Sequence, residues 1–376
     1  MHPLGEQISL QFSLTKKYAY FNTAATGLVP KTVAETMMKY WQQGAYPYGL
    51  EVEELVQDPN ITRAKMAAFI GAKEHEVAFV TNTAQAMSLA AACLPLARGD
   101  EVLIPKREFP AVVYPFLHGA RTRGFDVRML EWKQYGPTAD EIEQSITERT
   151  RLVCLSWVQY LNGYTNDLVA IGNICKRHGI TLAVDAIQGL GSIPLDVKKA
   201  GIDILGAGSF KWLMAGTGIA TLYVSEDILP NLNPVLFNYR GNMSDVEDPE
   251  YKLIYHQDIR KFDLGTDNQA GMIALGASLD FIQGIGIDRI HAHSRALAHR
   301  IRQALLEQGY TLNTRENEVS PIVAFSCGSG EEDERLLAKL KEQNIWTCIR
   351  GLGIRIAPHL YCTEEDVERL LSACKR

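Results

Sequence analysis

Short, almost wholly apolar runs alternate with helical stretches between residues 76 and 224. The apolar runs cover residues 76–81, 101–105, 126–130, 151–157, 181–186, 203–209 and 219–224. The helical stretches between them cover residues 83–94, 110–123, 138–146 and 168–178. Strands that are buried on both faces of a parallel sheet are nearly all apolar. The alternation therefore predicts an α/β domain with a mainly parallel, doubly wound sheet.

The pattern changes beyond residue 265. Two long helical stretches, 272–283 and 288–308, come before β-like runs at 311–314, 322–327, 345–350 and 354–358, and further helices are predicted over 331–343 and 363–374. This order predicts a smaller α+β domain with an antiparallel sheet. We assign residues 20–264 to the large domain and residues 1–19 with 265–376 to the small one. A loop-rich connection is predicted over 231–261.

Composition and charge exclude several classes of protein. The chain has 376 residues and a net charge of −6, and it lacks the concentrated basic face that nucleic-acid binding requires. The opening residues lack a signal-peptide pattern, and the strongest apolar run, 84–97, is too short to span a bilayer. Seven scattered cysteines without CxxC spacing indicate reduced thiols and no metal site. We therefore expect a cytoplasmic protein without a nucleic-acid or membrane partner.

Two of the predicted strand ends carry residues suited to a flat, anionic ligand. In α/β sheets, ligands bind outside the carboxyl ends of the strands. Thr83 and Ala84 begin the helix after the first of these strands, and backbone N–H groups at a helix start attract anions. Alternatively, Asn82 or Thr83 is an ordinary helix N-cap without a ligand. Phe109 follows the next strand and is able to stack on a heterocycle or to pack in the core.

Two ionisable residues stand at the ends of later strands. Asp185 ends an apolar run, where a buried carboxylate requires a cationic or proton-donating partner, or else it caps the following turn. Lys211 follows another buried run in a glycine-rich segment, GAGSFKWLMAGTG. An apolar setting lowers a lysine pKa and makes the amine nucleophilic, whereas most lysines are simply solvated.

Together these residues supply the four groups that pyridoxal 5'-phosphate (PLP) chemistry requires. A PLP site needs a lysine that carries the cofactor as a Schiff base and an acidic partner for the pyridine nitrogen. It also needs a flat surface against the ring and an anion cradle for the phosphate. Lys211, Asp185, Phe109 and the Thr83 turn provide one of each. Agreement of four roles at the strand ends of one sheet indicates a PLP enzyme.

The chain also resembles the class V aminotransferase family of fold-type I PLP enzymes. The resemblance runs from YFNTAATGLVP (20–30) to TEEDVERLL (363–371), and its most specific parts are VDAIQGLG, SFKWLMAGTG, EFPAVVYP, LGTDN and IRIAPHLYCTEED. It implies that Asp185 pairs with the pyridine nitrogen, Gln188 bonds the ring hydroxyl and Lys211 carries the cofactor. It implies that Phe109 stacks on the ring and that Thr83 and the Ala84 amide hold the phosphate.

The same resemblance implies a homodimer and a substrate site. Thr266 in LGTDN is expected to reach the phosphate of the neighbouring subunit. Arg355 in IRIAP is expected to clamp the carboxylate of an amino-acid substrate, because its planar guanidinium matches a carboxylate bidentately. Asn22 in the N-terminal motif is predicted to assist substrate binding.

Three positions depart from the family pattern. Gly208 stands where the family often has serine, with Ser209 one residue nearer to the lysine and predicted to contact the cofactor. Tyr160, which is also predicted to contact the cofactor, stands where asparagine often lies beneath the ring hydroxyl, and Asp267 replaces a common proline. These changes affect the predicted phosphate and hydroxyl contacts of the cofactor.

The reaction stays open among several that share these residues. Transamination, C–S lysis, desulfuration and epimerisation of an L-amino acid all use the same cofactor chemistry. A cysteine desulfurase requires a nucleophilic cysteine on a mobile loop, whereas Cys348 lies in the apolar run IWTCI and is interpreted as a packed thiol. We therefore favour a class V aminotransferase-type enzyme. Cysteine desulfurase or C–S lyase, epimerase, and a PLP-fold binding or regulatory module remain the alternatives.

Overall fold

The computed structural model describes residues 2–43, 60–245 and 247–375. Its strands are β1 (Ala19–Tyr20), β2 (Val77–Val80), β3 (Glu101–Pro105), β4 (Asp126–Leu130), β5 (Thr150–Ser156), β6 (Thr181–Asp185), β7 (Ile204–Gly208), β8 (Ala220–Val224), β9 (Thr311–Leu312), β10 (Val323–Ser326), β11 (Ile345–Trp346), β12 (Cys348–Arg350) and β13 (Gly353–Ile356). Its α-helices are α1 (Gln7–Gln11), α2 (Lys31–Gln42), α3 (Ile61–Ile70), α4 (Thr83–Cys93), α5 (Pro110–Arg123), α6 (Ala139–Gln144), α7 (Leu168–His178), α8 (Gln269–Ile285), α9 (Ile287–Glu307), α10 (Gly330–Glu342) and α11 (Glu364–Ala373).

A seven-stranded sheet in the order β2-β8-β7-β6-β5-β3-β4 forms the centre of the fold. Its strands pair in parallel from β4 to β7, and β8 runs antiparallel to both β7 and β2. The predicted mainly parallel α/β sheet is confirmed. In register, Ser156 of β5 lies beside Asp185, which lies beside Gly206 of β7. The carboxyl ends of these three strands therefore meet at one edge of the sheet.

The apolar strands bury both faces of this sheet. Along β5, Leu152 and Cys154 pack into one hydrophobic cluster, whereas Val153 and Leu155 pack into the other. Successive strand residues point to opposite faces, so a strand covered by helices on both sides has to be apolar throughout. This burial is why the apolar runs predicted the strands closely.

A second, four-stranded antiparallel sheet in the order β12-β13-β10-β9 lies in the C-terminal part of the chain. The prediction of one strand over 345–350 was wrong. β11 pairs in parallel with β1, whereas β12 pairs with β13 of the four-stranded sheet. The buried Thr347 between them donates its hydroxyl to the Arg355 carbonyl, so the chain passes from one sheet to the other at this residue.

The remaining segments are helical or irregular. α1, α2 and α3, which precede the large sheet, had no counterpart among the elements predicted from the sequence. Described residues of the loop-rich segment 231–261 form short 3-10 turns and the bridge Asn242–Tyr255. In the described part of the chain no single helix is long and apolar enough to cross a membrane. The pair α8 and α9, bent by 77° at their junction, meets both criteria only when the two are taken together.

Candidate active site

A cavity of about 410 Å³ lies at the carboxyl ends of β5, β6 and β7. It is lined by Ala24, Ala25, Thr26, Asn82, Thr83, Ala84, Phe109, Ala111, Tyr160, Asp185, Ile187, Gln188, Phe210, Lys211, Arg350 and Arg355. Two other cavities measure about 450 and 740 Å³, so size does not distinguish this one. The chemistry of its lining distinguishes it, because eight of the residues predicted for the site lie there: Thr83, Ala84, Phe109, Tyr160, Asp185, Gln188, Lys211 and Arg355.

Asp185 and Lys211 both line the cavity, and their opposite charges attract each other. Asp185 is buried, and its Oδ1 accepts a hydrogen bond from Ile187 N at 2.9 Å. Burial raises the pKa of Asp185 to about 6, and the positive charge of Lys211 opposes this rise. Burial lowers the pKa of Lys211 to about 8 against the attraction of Asp185. The lysine is therefore available as a neutral amine at mildly alkaline pH.

The start of α4 forms one end of the cavity. Asn82 caps the helix, since its Oδ1 accepts from Gln85 N at 2.9 Å. The buried Thr83 accepts from Gly208 N through Oγ1 at 2.9 Å, which leaves its hydroxyl hydrogen for a ligand. A helix start offers unpaired N–H groups, here those of Thr83 and Ala84, to an anion. Gly208 thus lies against the cradle, although it replaces the serine common in the family.

Two aromatic rings form a wall of the cavity. Phe109 is 45% exposed, so it is not a core residue, and its ring lies 5.2 Å from that of Tyr160 in an edge-to-face arrangement. Lys211 Nζ lies 6.0 Å from the centre of the Phe109 ring. This ring therefore lies within reach of a flat ligand attached to the lysine.

Gln188 is held in one orientation by two contacts. Its Oε1 accepts from Trp212 Nε1 at 3.0 Å, and its Nε2 donates to the Ala24 carbonyl at 2.9 Å. An amide nitrogen carries two hydrogens, so one remains for a hydroxyl in the cavity. The geometry is compatible with the predicted contact of Gln188 with the ring hydroxyl.

Arg355 is buried and lines the cavity. Its Nη1 donates to the Tyr160 carbonyl at 2.6 Å, and its Nη2 lies 3.7 Å from Cys348 Sγ. Its Nε has no partner in the described part of the chain. The Nε–Nη2 edge is the one that grips a carboxylate bidentately. A buried guanidinium that lines the cavity and has no carboxylate partner among the described residues suits a carboxylate ligand.

Three predicted site residues lie outside the cavity lining. Ser209 is fully buried, and its hydroxyl has no partner among the described residues. Asn22 lies just before the lining segment, and its buried Oδ1 likewise lacks a described partner. Thr266 is exposed beside a different cavity, and the neighbouring Asp267 pairs with Arg240 at 2.7 Å. The roles assigned to Ser209, Asn22 and Thr266 stay predictions.

The structure also places residues at the site that the sequence analysis did not select. Glu108 is buried beside β5, where its carboxylate accepts from Ser156 N at 2.8 Å, and burial raises its pKa to about 7. Arg350 lines the cavity mouth. Gly27 N donates to the Phe210 carbonyl at 2.9 Å, and a Cβ at this glycine would lie 1.9 Å from the Lys211 carbonyl. Glu108 was detectable, because it lies three residues after the predicted strand 101–105 and immediately before Phe109.

The cavity fits PLP on the character of its unpaired groups. An open helix start is present for the phosphate, an aromatic wall for the ring, and the buried Asp185 for the ring nitrogen. Among the described residues a backbone N–H is the one hydrogen-bond donor to Asp185, so its Oδ2 is available to a protonated nitrogen. The residues therefore match the cofactor that the sequence predicted.

The comparisons with known proteins agree with this site. The model of the family "Aminotransferase class-V" matches residues 19–370. A probable cysteine desulfurase of Methanothermobacter thermautotrophicus is 28% identical over 97% of this chain and 96% of its own length. An uncharacterized aminotransferase, YcbU, of Bacillus subtilis is 28% identical over 99% and 97%. The apo structure of a cysteine desulfurase from Thermococcus onnurineus NA1 superposes with a TM-score of 0.88 at 27% identity, covering 99% of this chain and 97% of that one.

Proposed function

The chain belongs to the class-V aminotransferase family of PLP-dependent enzymes, and on that premise we propose that it catalyses an aminotransferase-type reaction on an L-amino acid bound in the cavity of Lys211 and Arg355. One observation carries this proposal. A half-buried lysine with a lowered pKa, a buried carboxylate and a buried arginine without a carboxylate partner among the described residues line one cavity. Each is costly to bury alone, and together they match the two charged groups of an amino acid and the cofactor.

The side chains divide the work by position. When bound, PLP supplies an electron sink for negative charge that develops on the amino acid. Asp185 holds a proton on the ring nitrogen, and the start of α4 binds the phosphate. Arg355 orients the substrate through its α-carboxylate. Lys211 Nζ, with a pKa of about 8, is the amine that accepts and returns the α-proton.

Titration of the PLP-loaded protein with individual amino acids tests the proposal. A substrate should change the visible absorbance and, with a 2-oxo acid as acceptor, should yield its own 2-oxo acid by chromatography. Alanine with sulfide in the presence of a dithiol reductant, pyruvate with ammonia, or the D-isomer as product would instead identify a desulfurase, a lyase or an epimerase. Absorbance that no amino acid changes would contradict the proposal and would favour a binding module.

Cysteine desulfuration is the second candidate. Curated relatives carry that name, and Cys348 Sγ contacts Arg355, the predicted carboxylate ligand. The thiol is half-buried, which is more accessible than a packed core thiol. However, Cys348 lies in β12 and pairs with Arg355 of β13, so a strand and not a loop holds it. The strand favours transamination over attack by a mobile thiol.

Assembly, domain division and location belong to the same proposal. We infer a homodimer in which the exposed Thr266 reaches the partner's cofactor phosphate. The division into a large domain of residues 20–264 and a small domain of residues 1–19 and 265–376 is supported by the separate seven- and four-stranded sheets. β1, at residues 19–20, pairs with β11 of the C-terminal part, which suits a boundary near residue 20. We propose a cytoplasmic location, supported by seven cysteines that are scattered along the sequence without CxxC spacing.

A further inference from the structure

Arg350 is a second arginine at the mouth of the cavity. It is the last residue of β12, and its side chain is exposed where it lines the cavity. Within the described part of the chain, the one hydrogen bond of its side chain joins Nη1 to the carbonyl of its neighbour Ile349 at 3.2 Å. Among the described residues no carboxylate pairs with it. The guanidinium is thus positioned at the site without a protein counter-charge.

The hairpin of β12 and β13 places both arginines on one face. Cys348 lies opposite Arg355, and Arg350 lies opposite Gly353. Residues two apart along a strand share a face, so Arg350 and Arg355 are diagonal neighbours across the hairpin. Because the residue opposite Arg350 is a glycine, no cross-strand side chain covers it. The long side chain has room to lean over the cavity.

The charges in the cavity lining are unbalanced. Lys211, Arg350 and Arg355 contribute three cations, whereas Asp185 is the single carboxylate in the described lining. The α-carboxylate of an amino acid neutralises Arg355, and the start of α4, formed by Thr83 and Ala84, serves the cofactor phosphate. Arg350 then remains as an unmatched positive charge beside the bound substrate. Complementary charge at such a position confers specificity.

We propose that Arg350 selects amino-acid substrates that carry a second carboxylate. This inference rests on the proposed function. The guanidinium of Arg355 binds the α-carboxylate inside the cavity, and Arg350 binds the distal carboxylate at the mouth. The distal group belongs either to a short acidic side chain, as in aspartate and glutamate, or to the far end of a disulfide-linked amino acid such as cystine.

Binding of unreactive dicarboxylates tests this role without turnover. Calorimetric titration of the protein, with and without PLP, compares glutarate and succinate with the monocarboxylate butyrate. The dicarboxylates should bind about three- to tenfold more tightly than butyrate, the range expected of a partly exposed ion pair. Arg350→Gln should reduce the ratio to about one, and Arg350→Lys should retain part of it. The control Arg335→Gln, on the exposed face of α10, should retain all of it.

Amino acids then identify the source of the second carboxylate. L-Glutamate and L-aspartate are compared with L-glutamine and L-asparagine, and L-cystine with L-cysteine, by the concentration that gives half of the absorbance change. A preference for the member of each pair that carries the second carboxylate, lost in Arg350→Gln, supports the inference. The pair that shows this preference identifies the source of the second carboxylate. In Arg350→Glu the preference should reverse toward L-lysine.

Two outcomes would overturn the inference while leaving the proposed function intact. One is equal binding of glutarate and butyrate by the unaltered protein, together with an absorbance change for neutral amino acids. The other is a loss of PLP affinity in Arg350→Gln, which would assign Arg350 to the cofactor phosphate. If no amino acid changes the absorbance of the unaltered protein, the proposed function itself fails.

Discussion

The base of the cavity and its mouth are built in different ways. At the base, Asp185 and Gln188 are each 2% exposed; Asp185 is the last residue of β6, and Gln188 follows that strand. At the mouth, Phe109 is 45% exposed at the start of α5, and Arg350 ends a strand of the other sheet. At the base, β6 pairs with a strand on either side, which fixes the position of Asp185. The mouth combines residues from distant parts of the chain.

This difference separates the chemistry of the cofactor from the choice of substrate. Transamination, desulfuration and epimerisation require the same acid and the same lysine, so residues at the base cannot distinguish them. Charges and shape at the mouth contact the substrate side chain and are able to do so. Substitutions at the base should therefore affect every substrate alike, and substitutions at the mouth should affect substrates selectively.

Lys211→Ala should give the largest effect. The variant should fold, bind PLP without covalent attachment and lose turnover with every amino acid tested. Borohydride reduction of the unaltered protein, followed by peptide mapping, should label Lys211. Attachment should increase as pH rises through about 8, because the neutral amine forms there. Lys106→Ala, at an exposed lysine after β3, serves as the control, and a label on any lysine other than Lys211 would reject the assignment.

Asp185→Asn should lose activity and gain stability. Turnover should decrease about 10²–10³-fold, as when a preorganised charge is removed from a site. Burial raises the pKa of Asp185 to about 6, above the ordinary value near 3.9, so the folded state binds this proton more tightly than the unfolded state. The stability of the PLP-free protein therefore decreases as pH rises through that window. Above this pH window, ionised Asp185 lowers the free energy of unfolding by up to about 3 kcal/mol, and asparagine removes this cost.

Thermal unfolding of the PLP-free proteins measures this gain. The melting temperature of Asp185→Asn should exceed that of the unaltered protein at pH 7.5, and the difference should disappear toward pH 4. Asparagine still accepts the hydrogen bond from Ile187, so the comparison isolates the charge. Full turnover in Asp185→Asn would show that the carboxylate is only a turn cap.

The base could be predicted from the sequence and the mouth could not. β6 was predicted over 181–186 and spans Thr181–Asp185, because burial on both faces leaves a local apolar signature. Strand ends then located Asp185 and Lys211 without knowledge of the tertiary structure. Arg350 gave no such signal, since its place depends on which sheet β12 joins. Because residues 345–350 were predicted as a single strand, neither the pairing of β12 with β13 nor the contact between Cys348 and Arg355 could be predicted.

Thr266→Ala should weaken PLP binding if the site is shared between subunits. A hydrogen bond to a charged group contributes about 1.5–3 kcal/mol, which is roughly ten- to a hundredfold in affinity. In mixed dimers with Lys211→Ala, one site carries both lesions and the other carries neither. Dissociation and reassociation of the two variants should therefore recover activity. Verified mixed dimers without recovery, or a fully active monomer in sedimentation, would remove Thr266 from the site.

Cys348→Ser should give the smallest effect and sharpen the contrast between base and mouth. Serine keeps an acceptor for Arg355 Nη2, which now lies 3.7 Å from the sulfur, but its shorter bond lengthens the contact. We expect a change in KM of about threefold or less, the size of a weak polar contact, with kcat retained. Cys327→Ser, at another half-buried cysteine of the C-terminal part, is the matched control. If Cys348→Ser alone abolishes sulfide release from cysteine, with alanine as the co-product, then the thiol is the nucleophile. In that case the mouth of the cavity takes part in the reaction as well as in substrate choice, and desulfuration replaces transamination as the assigned activity.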